Sequence, residues 1–99
     1  MKVGYVYILR CADGSYYTGS TSNIEQRTAQ HEAGELGGYA ASRRPLALVF
    51  VQQFADIRDA ISAERQIKGW SRRKKEALIA SDYDLLSLLS KSTPTYNRK

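Results

Sequence analysis

Five side chains in this sequence have types and spacings that could do chemistry. Glu64 is the most informative. With about 100° of turn per helical residue, Ile57, Ala60, Ile61 and Ile67 form one apolar stripe, and Glu64 falls inside it. A carboxylate turned towards a core is costly unless it is paired or bound to a cation. Two readings stand: a buried ion pair with an Arg or Lys, or a metal-binding or catalytic role. Arg27 and His31 are four residues apart and share a helix face. The planar fork of arginine suits a phosphate, and histidine can relay a proton near neutral pH. As an isolated pair they are more often a solvated charge and a structural ring. Tyr7 and Tyr17 lie ten residues apart, on either side of Asp13-Gly14. Tyrosine is an ordinary strand former. It acts as a general base only if its phenol pKa, about 10 when free, is lowered. Arg27, a protonated His31 or a metal could do that.

These residues need a scaffold. Val3 to Cys11 and Ser15 to Thr21 read as two strands joined at Asp13-Gly14, a strong hairpin signal, with Gly14 free to take φ > 0. With this turn Tyr7 and Tyr17 share a sheet face unless a bulge shifts the register. Ser22-Asn23-Ile24-Glu25 fits a capping box for a helix to about Ala33, with Gly34 at C′. Gly37 to Arg44 reads as a loop ended by Pro45. The apolar run Leu46 to Val51 reads as a strand buried on both faces, with helices covering both sides of the sheet. Asp56 to about Gly69 is a helix, and Ser71 caps another over Arg72 to Ala80. Leu85, Leu86, Leu88 and Leu89 have the spacing of a last short helix, capped within Ser81 to Asp84. The expected fold is α+β, ordered β-β-α-β-α-α plus that last helix, around a small three-stranded antiparallel or mixed sheet. Residues 1–90 form one domain, and 91–99 a polar, flexible tail.

Composition sets outer bounds. Ninety-nine residues support one modest core. No apolar run approaches membrane-spanning length, and no signal-peptide core follows Met1-Lys2, so a soluble, cytoplasmic protein without a membrane partner is expected. The single cysteine, Cys11, excludes an internal disulfide framework and a cysteine zinc site, and reads as a small buried hydrophobe. The net charge of +5 favours polyanionic partners, although solubility alone could account for it. Placement is more telling. Arg65, Lys68, Arg72, Arg73, Lys74 and Lys75 are six cations with no acid between them. Four of these crowd the first turn of a helix, where the dipole disfavours them unless a phosphate binds there. Arg43-Arg44 form a second basic site. Trp70 and Tyr39 lie beside basic stretches and could stack on bases, although core packing is the simpler role for Trp70.

Tyr5-Val6-Tyr7, a gap, and Tyr17-Thr18-Gly19 resemble the paired signature of the GIY-YIG nuclease superfamily. Tyr7, Tyr17 and Gly19 are the literal matches. Arg27, His31 and Glu64 follow in the residue types and order that this family uses. The resemblance covers nearly the whole chain and is closest to small stand-alone bacterial members. It implies an antiparallel sheet flanked by helices and a metal-dependent phosphodiesterase. Glu64 would be the sole protein ligand of one Mg²⁺ or Mn²⁺, hard cations that keep much of their hydration. Tyr7 would be the leading base on the attacking water, Tyr17 and His31 would assist, and Arg27 would stabilise charge on the phosphate. Several members carry a lysine three residues after the second tyrosine; Ser20 stands there and supplies no charge.

The preferred expectation is a DNA endonuclease, with a role in repair or recombination compatible with it. Arg43, Arg44, Lys68, Arg72, Arg73, Lys74 and Lys75 are its candidate nucleic-acid contacts. A binding module with weak or lost catalysis is the second reading, and a basic protein docking an acidic partner the third. Single strands, flaps, junctions and RNA all stay open as targets, as does the oligomeric state.

Overall fold

The structure, a computed structural model, describes residues 2–91. It comprises two compact units, one extending to Lys68 and one starting at Gly69. The first contains β1 (Gly4–Arg10), β2 (Tyr16–Thr21), α1 (Ile24–Ala33), α2 (Gly38–Ala41), β3 (Ala47–Phe54) and α3 (Ile57–Lys68). The second contains α4 (Arg72–Ile79) and α5 (Tyr83–Lys91). This is the expected α+β order, and the sheet is antiparallel throughout, with strand order β2-β1-β3.

The hairpin forms for the reason its sequence suggests. Gly14 takes a φ of 85°, and Asp13 accepts hydrogen bonds from the Ser15 backbone N–H and hydroxyl. In the resulting register Tyr7 pairs with Gly19 and Leu9 with Tyr17. Directly paired residues point to the same face, as do residues two apart, so both tyrosines share one face. A register irregularity does occur at Ile8/Leu9, but on the β3 side of β1, so the hairpin pairing is unbroken.

The doubly buried strand is β1, not the Leu46–Val51 run. Val6, Tyr7 and Ile8 are fully buried, whereas Leu48 and Val51 on β3 remain 46% and 45% exposed. An apolar run shows that a strand suits a sheet, but strand order decides whether it is covered. The hairpin leaves one edge of β1 free, β3 pairs there, and β3 becomes an edge itself. Helices still cover both faces. Ile57 of α3 packs where Gly4 lacks a side chain, and His31 of α1 meets the tyrosine face. Cys11 is buried and unpaired.

Two local readings shift. The α1 cap is Asn23, whose Oδ1 accepts from the Gln26 N–H at 3.0 Å, one residue later than the Ser22 box. The Thr21 hydroxyl accepts the Asn23 N–H and thereby sets the start. The segment read as a loop contains the single turn α2. Gly34 ends α1 in the left-handed region, as expected. In the second unit, Ser71 caps α4 by accepting the Lys74 N–H, and Asp82 caps α5 by accepting the Leu85 N–H. Lys91 is the last residue of α5, and residues 92–99 of the expected tail lie outside the described residues. Among the described residues, no helix is long and apolar enough to cross a membrane.

Candidate active site

The candidate site is built on β2. Its alternation sends Tyr17 and Gly19 to the α1 face and Ser20 to the α3 face. On the α1 face, the Tyr7 hydroxyl and His31 Nε2 are 2.9 Å apart, and both groups are buried. The Tyr17 ring meets the same imidazole edge-on, with centroids 5.2 Å apart. His31 is thus held between the two tyrosines. Gly19 is required here, because a Cβ at that position would overlap the Tyr7 hydroxyl.

Ser20 joins this cluster to α3. Its backbone carbonyl accepts a long hydrogen bond from Arg27 Nη1, at 3.5 Å, and its hydroxyl donates to Glu64 Oε1. The other carboxylate oxygen, Oε2, is 2.7 Å from Lys68 Nζ. Glu64 is therefore partly buried and ion-paired, at 18% side-chain exposure. The ion-pair reading of its place in the apolar stripe is realised, with a partner one helical turn away. Sequence reasoning missed both contacts. It treated Ser20 only as a lost charge and Lys68 only as part of a basic run. The Glu-x-x-x-Lys spacing was the available signal.

The electrostatics differ from the sequence expectation at Tyr7. Its phenol is pushed up to about 12, chiefly by burial and to a lesser degree by the Tyr17 phenol, against the opposing pull of Arg27. Tyr7 is thus neutral rather than primed as a free base. The His31 imidazole is held below its usual value, first by burial and then by the Arg27 charge, so it is neutral near pH 7 and able to accept a proton. Although burial opposes it, hydrogen bonds from Lys68 and Ser20 bring Glu64 below the usual carboxylate range. Lys68 is raised, mainly by its bond to Glu64, with the Tyr17 phenol adding to it.

A metal here would have to accept a sparse donor set. Among the described residues, no three His, Cys, Asp or Glu side chains converge. One ionised, partly exposed carboxylate suits a hard cation that keeps its waters and takes a phosphate oxygen; it does not suit a closed zinc site. Glu64 fits that kind of ion.

The candidate nucleic-acid contacts are more engaged than a bare basic run suggests. Arg43 pairs with Asp13 at 3.1 Å and stacks on the Tyr39 ring at 3.6 Å. Arg44 donates to the carbonyls of Ala41 and Glu32. In the second unit Arg72 pairs with Glu76, and Lys74 lies over Trp70 at 4.6 Å from the ring centroid. Arg73 and Lys75 share the α4 first turn with them.

Residues 3–77 match the family model described as the GIY-YIG catalytic domain. A UPF0213 protein from Natronomonas pharaonis is 46% identical over 78 residues, spanning 79% of this chain and 92% of its own. One from Staphylococcus haemolyticus is 44% identical over 79 residues, spanning 80% and 96%. Among solved structures, the solution structure of a UPF0213 protein from Bacillus halodurans has a TM-score of 0.53 at 41% identity, covering 79% of this chain and 83% of its own. A protein from E. faecalis gives 0.58 at 33% identity, covering 84% and 88%.

Proposed function

The chain belongs to the GIY-YIG catalytic-domain family, and from that premise we propose that it is a metal-dependent phosphodiesterase that cleaves DNA. One observation carries the reading. Tyr7, Tyr17 and His31 form a single contact cluster, and Ser20 links the adjoining Arg27 to a partly buried carboxylate on another helix. Family signatures place such residues far apart in sequence. A structural core alone has no need to gather them.

Water attacks phosphorus, and the bond to the 3′ oxygen breaks. Tyr7 acts as a relay. Its hydroxyl takes the proton of the water as it passes its own to His31 Nε2, so no free tyrosinate is needed. The relay uses the His31 tautomer protonated on Nδ1. Tyr17 closes the other side of the imidazole and orients the water. Arg27 turns from Tyr7 and Ser20 to the phosphate, which uncovers the sealed Tyr7 hydroxyl and neutralises developing charge. Glu64 would hold Mg²⁺ or Mn²⁺, and the ion would supply Lewis-acid stabilisation of developing charge. The leaving oxygen takes its proton from solvent. Arg43, Arg44, Arg72, Arg73, Lys74 and Lys75 contribute backbone contacts. No helix reads from the sequence as a groove reader, which favours single-stranded or branched DNA, such as repair and recombination intermediates, over a long duplex site.

The test is cleavage of end-labelled single-stranded, duplex, flap and junction DNA with Mg²⁺, Mn²⁺ or EDTA, beside a folded Glu64→Ala protein. Metal-dependent cleavage lost in the variant is the expected result. Salt-sensitive binding without cleavage on any substrate would replace this reading with a binding module. The observation favouring that second reading is the Lys68 ammonium already seated on the Glu64 carboxylate.

A further inference from the structure

Lys68 holds the carboxylate that the reaction needs, and we propose that it is an exchangeable counter-ion. In this scheme a divalent cation displaces the ammonium from Glu64, and the freed ammonium then takes a phosphate oxygen of the substrate. This rests on the phosphodiesterase reading above.

Both oxygens of Glu64 are engaged, but by unlike partners. Ser20 donates a neutral hydroxyl to Oε1. It can stay while a cation binds, fixing the rotamer as an outer hydrogen bond does for a metal ligand. Lys68 places a full positive charge 2.7 Å from Oε2. A magnesium-sized ion sits about 2.1 Å from its ligand oxygen. Two cations that close on one oxygen repel, and one must leave. Lys68 is the one able to go. Its side chain is 52% exposed against 18% for Glu64, and it ends α3. Its flexible stem and the modest worth of an exposed i,i+4 pair make release easy.

Release does not carry the charge away from the site. Its backbone stays one helical turn from Glu64 on α3, so the released ammonium remains within reach of the site. A phosphate bound there replaces the partner it lost. The exchange makes cation and phosphate binding cooperative, because each ligand favours the same displaced state of Lys68. It also assigns a purpose to Ser20. Its hydroxyl bonds the carboxylate without adding a second cation to compete with the metal.

Titration of the full-length protein with Mn²⁺ alone, read by paramagnetic resonance of the free ion, tests the displacement. Lys68→Met should bind Mn²⁺ about three- to fivefold more tightly than wild type, the factor set by removing an exposed ion pair. Lys68→Arg, which keeps a cation, should stay near wild type, and Glu64→Gln should not bind. Arg65→Met removes a neighbouring charge without touching the carboxylate, and should change affinity less than Lys68→Met. Equal effects of those two variants would mean general charge repulsion and overturn the proposal. Equal binding by wild type and Lys68→Met, lost in Glu64→Gln, would overturn the exchange and leave the metal-dependent reading standing. Silence from every variant would overturn both. Binding seen only in Lys68→Met would support the exchange in its strongest form. For the hand-over, thymidine 5′-monophosphate offers a phosphate with no diester to cleave. In wild type, Mn²⁺ and this nucleotide should strengthen each other's binding. That factor should shrink in Lys68→Met, and an unchanged factor would refute the hand-over.

Discussion

Replacing Tyr7 by Phe tests the electrostatic core of the site without requiring any knowledge of the substrate. Tyr7 is fully buried, and its hydroxyl meets His31 Nε2 at 2.9 Å. Removing the hydroxyl leaves that nitrogen without its partner, which should cost about 1–3 kcal/mol at pH 8. The size of this gap should then depend on pH. In the folded chain the phenol pKa is pushed from 10.0 up to about 12. The neutral form is the one that folding favours, so its contribution is complete below pH 10 and is lost as pH rises towards 12. Linkage between these two values removes about 1 kcal/mol by pH 11 and about 2 kcal/mol by pH 12. Tyr7→Phe has no such proton to lose. Urea unfolding followed by circular dichroism at pH 8, 10, 11 and 12 should therefore show the wild-type advantage shrinking and, for a gap near the lower end, reversing. Titrating groups not coupled to Tyr7 are common to both proteins and cancel in the difference. A gap that stays constant from pH 8 to 12 would refute the raised phenol and, with it, the neutral relay.

Gly19→Ala should push Tyr7 off His31, because the new methyl meets the hydroxyl directly, and overpacking of this kind costs about 1–3 kcal/mol; thermal unfolding would measure it, and the variant should lose cleavage more completely than stability. His31 should weaken the fold in mild acid. Its folded pKa is depressed, so its stabilising effect is complete above the unfolded value of about 6.5 and is lost as pH falls towards the folded value. Between pH 6.5 and 5 the wild type should lose stability faster than His31→Gln, as read by urea midpoints. Ser71→Ala removes the hydroxyl that accepts the Lys74 N–H and should destabilise α4 by about 1 kcal/mol, seen as faster amide exchange in that helix.

The elements and their order were legible in the sequence because they depend on local chemistry. Gly14 makes the hairpin turn, Ser71 and Gly34 punctuate helices, and the stripe of Ile57, Ala60, Ile61 and Ile67 declares α3 amphipathic. The shared face of Tyr7 and Tyr17 followed from strand alternation once the turn was known. Other features lay beyond any local signal. That β3 is an edge rather than a core strand depends on which side of β1 it pairs with, and its own apolar run is the same either way. The raised Tyr7 phenol comes from sealing by groups distant in sequence: His31 is 24 residues away. Sequence reading offers nearby cations as a means of lowering the value and cannot count lost solvent. Glu64 shows the division most clearly. Helical periodicity placed it among apolar residues and required a partner. Helical spacing offers Lys68 for one oxygen, but only tertiary structure brought Ser20, 44 residues away, onto the other, because that choice depends on where strands and helices meet in space.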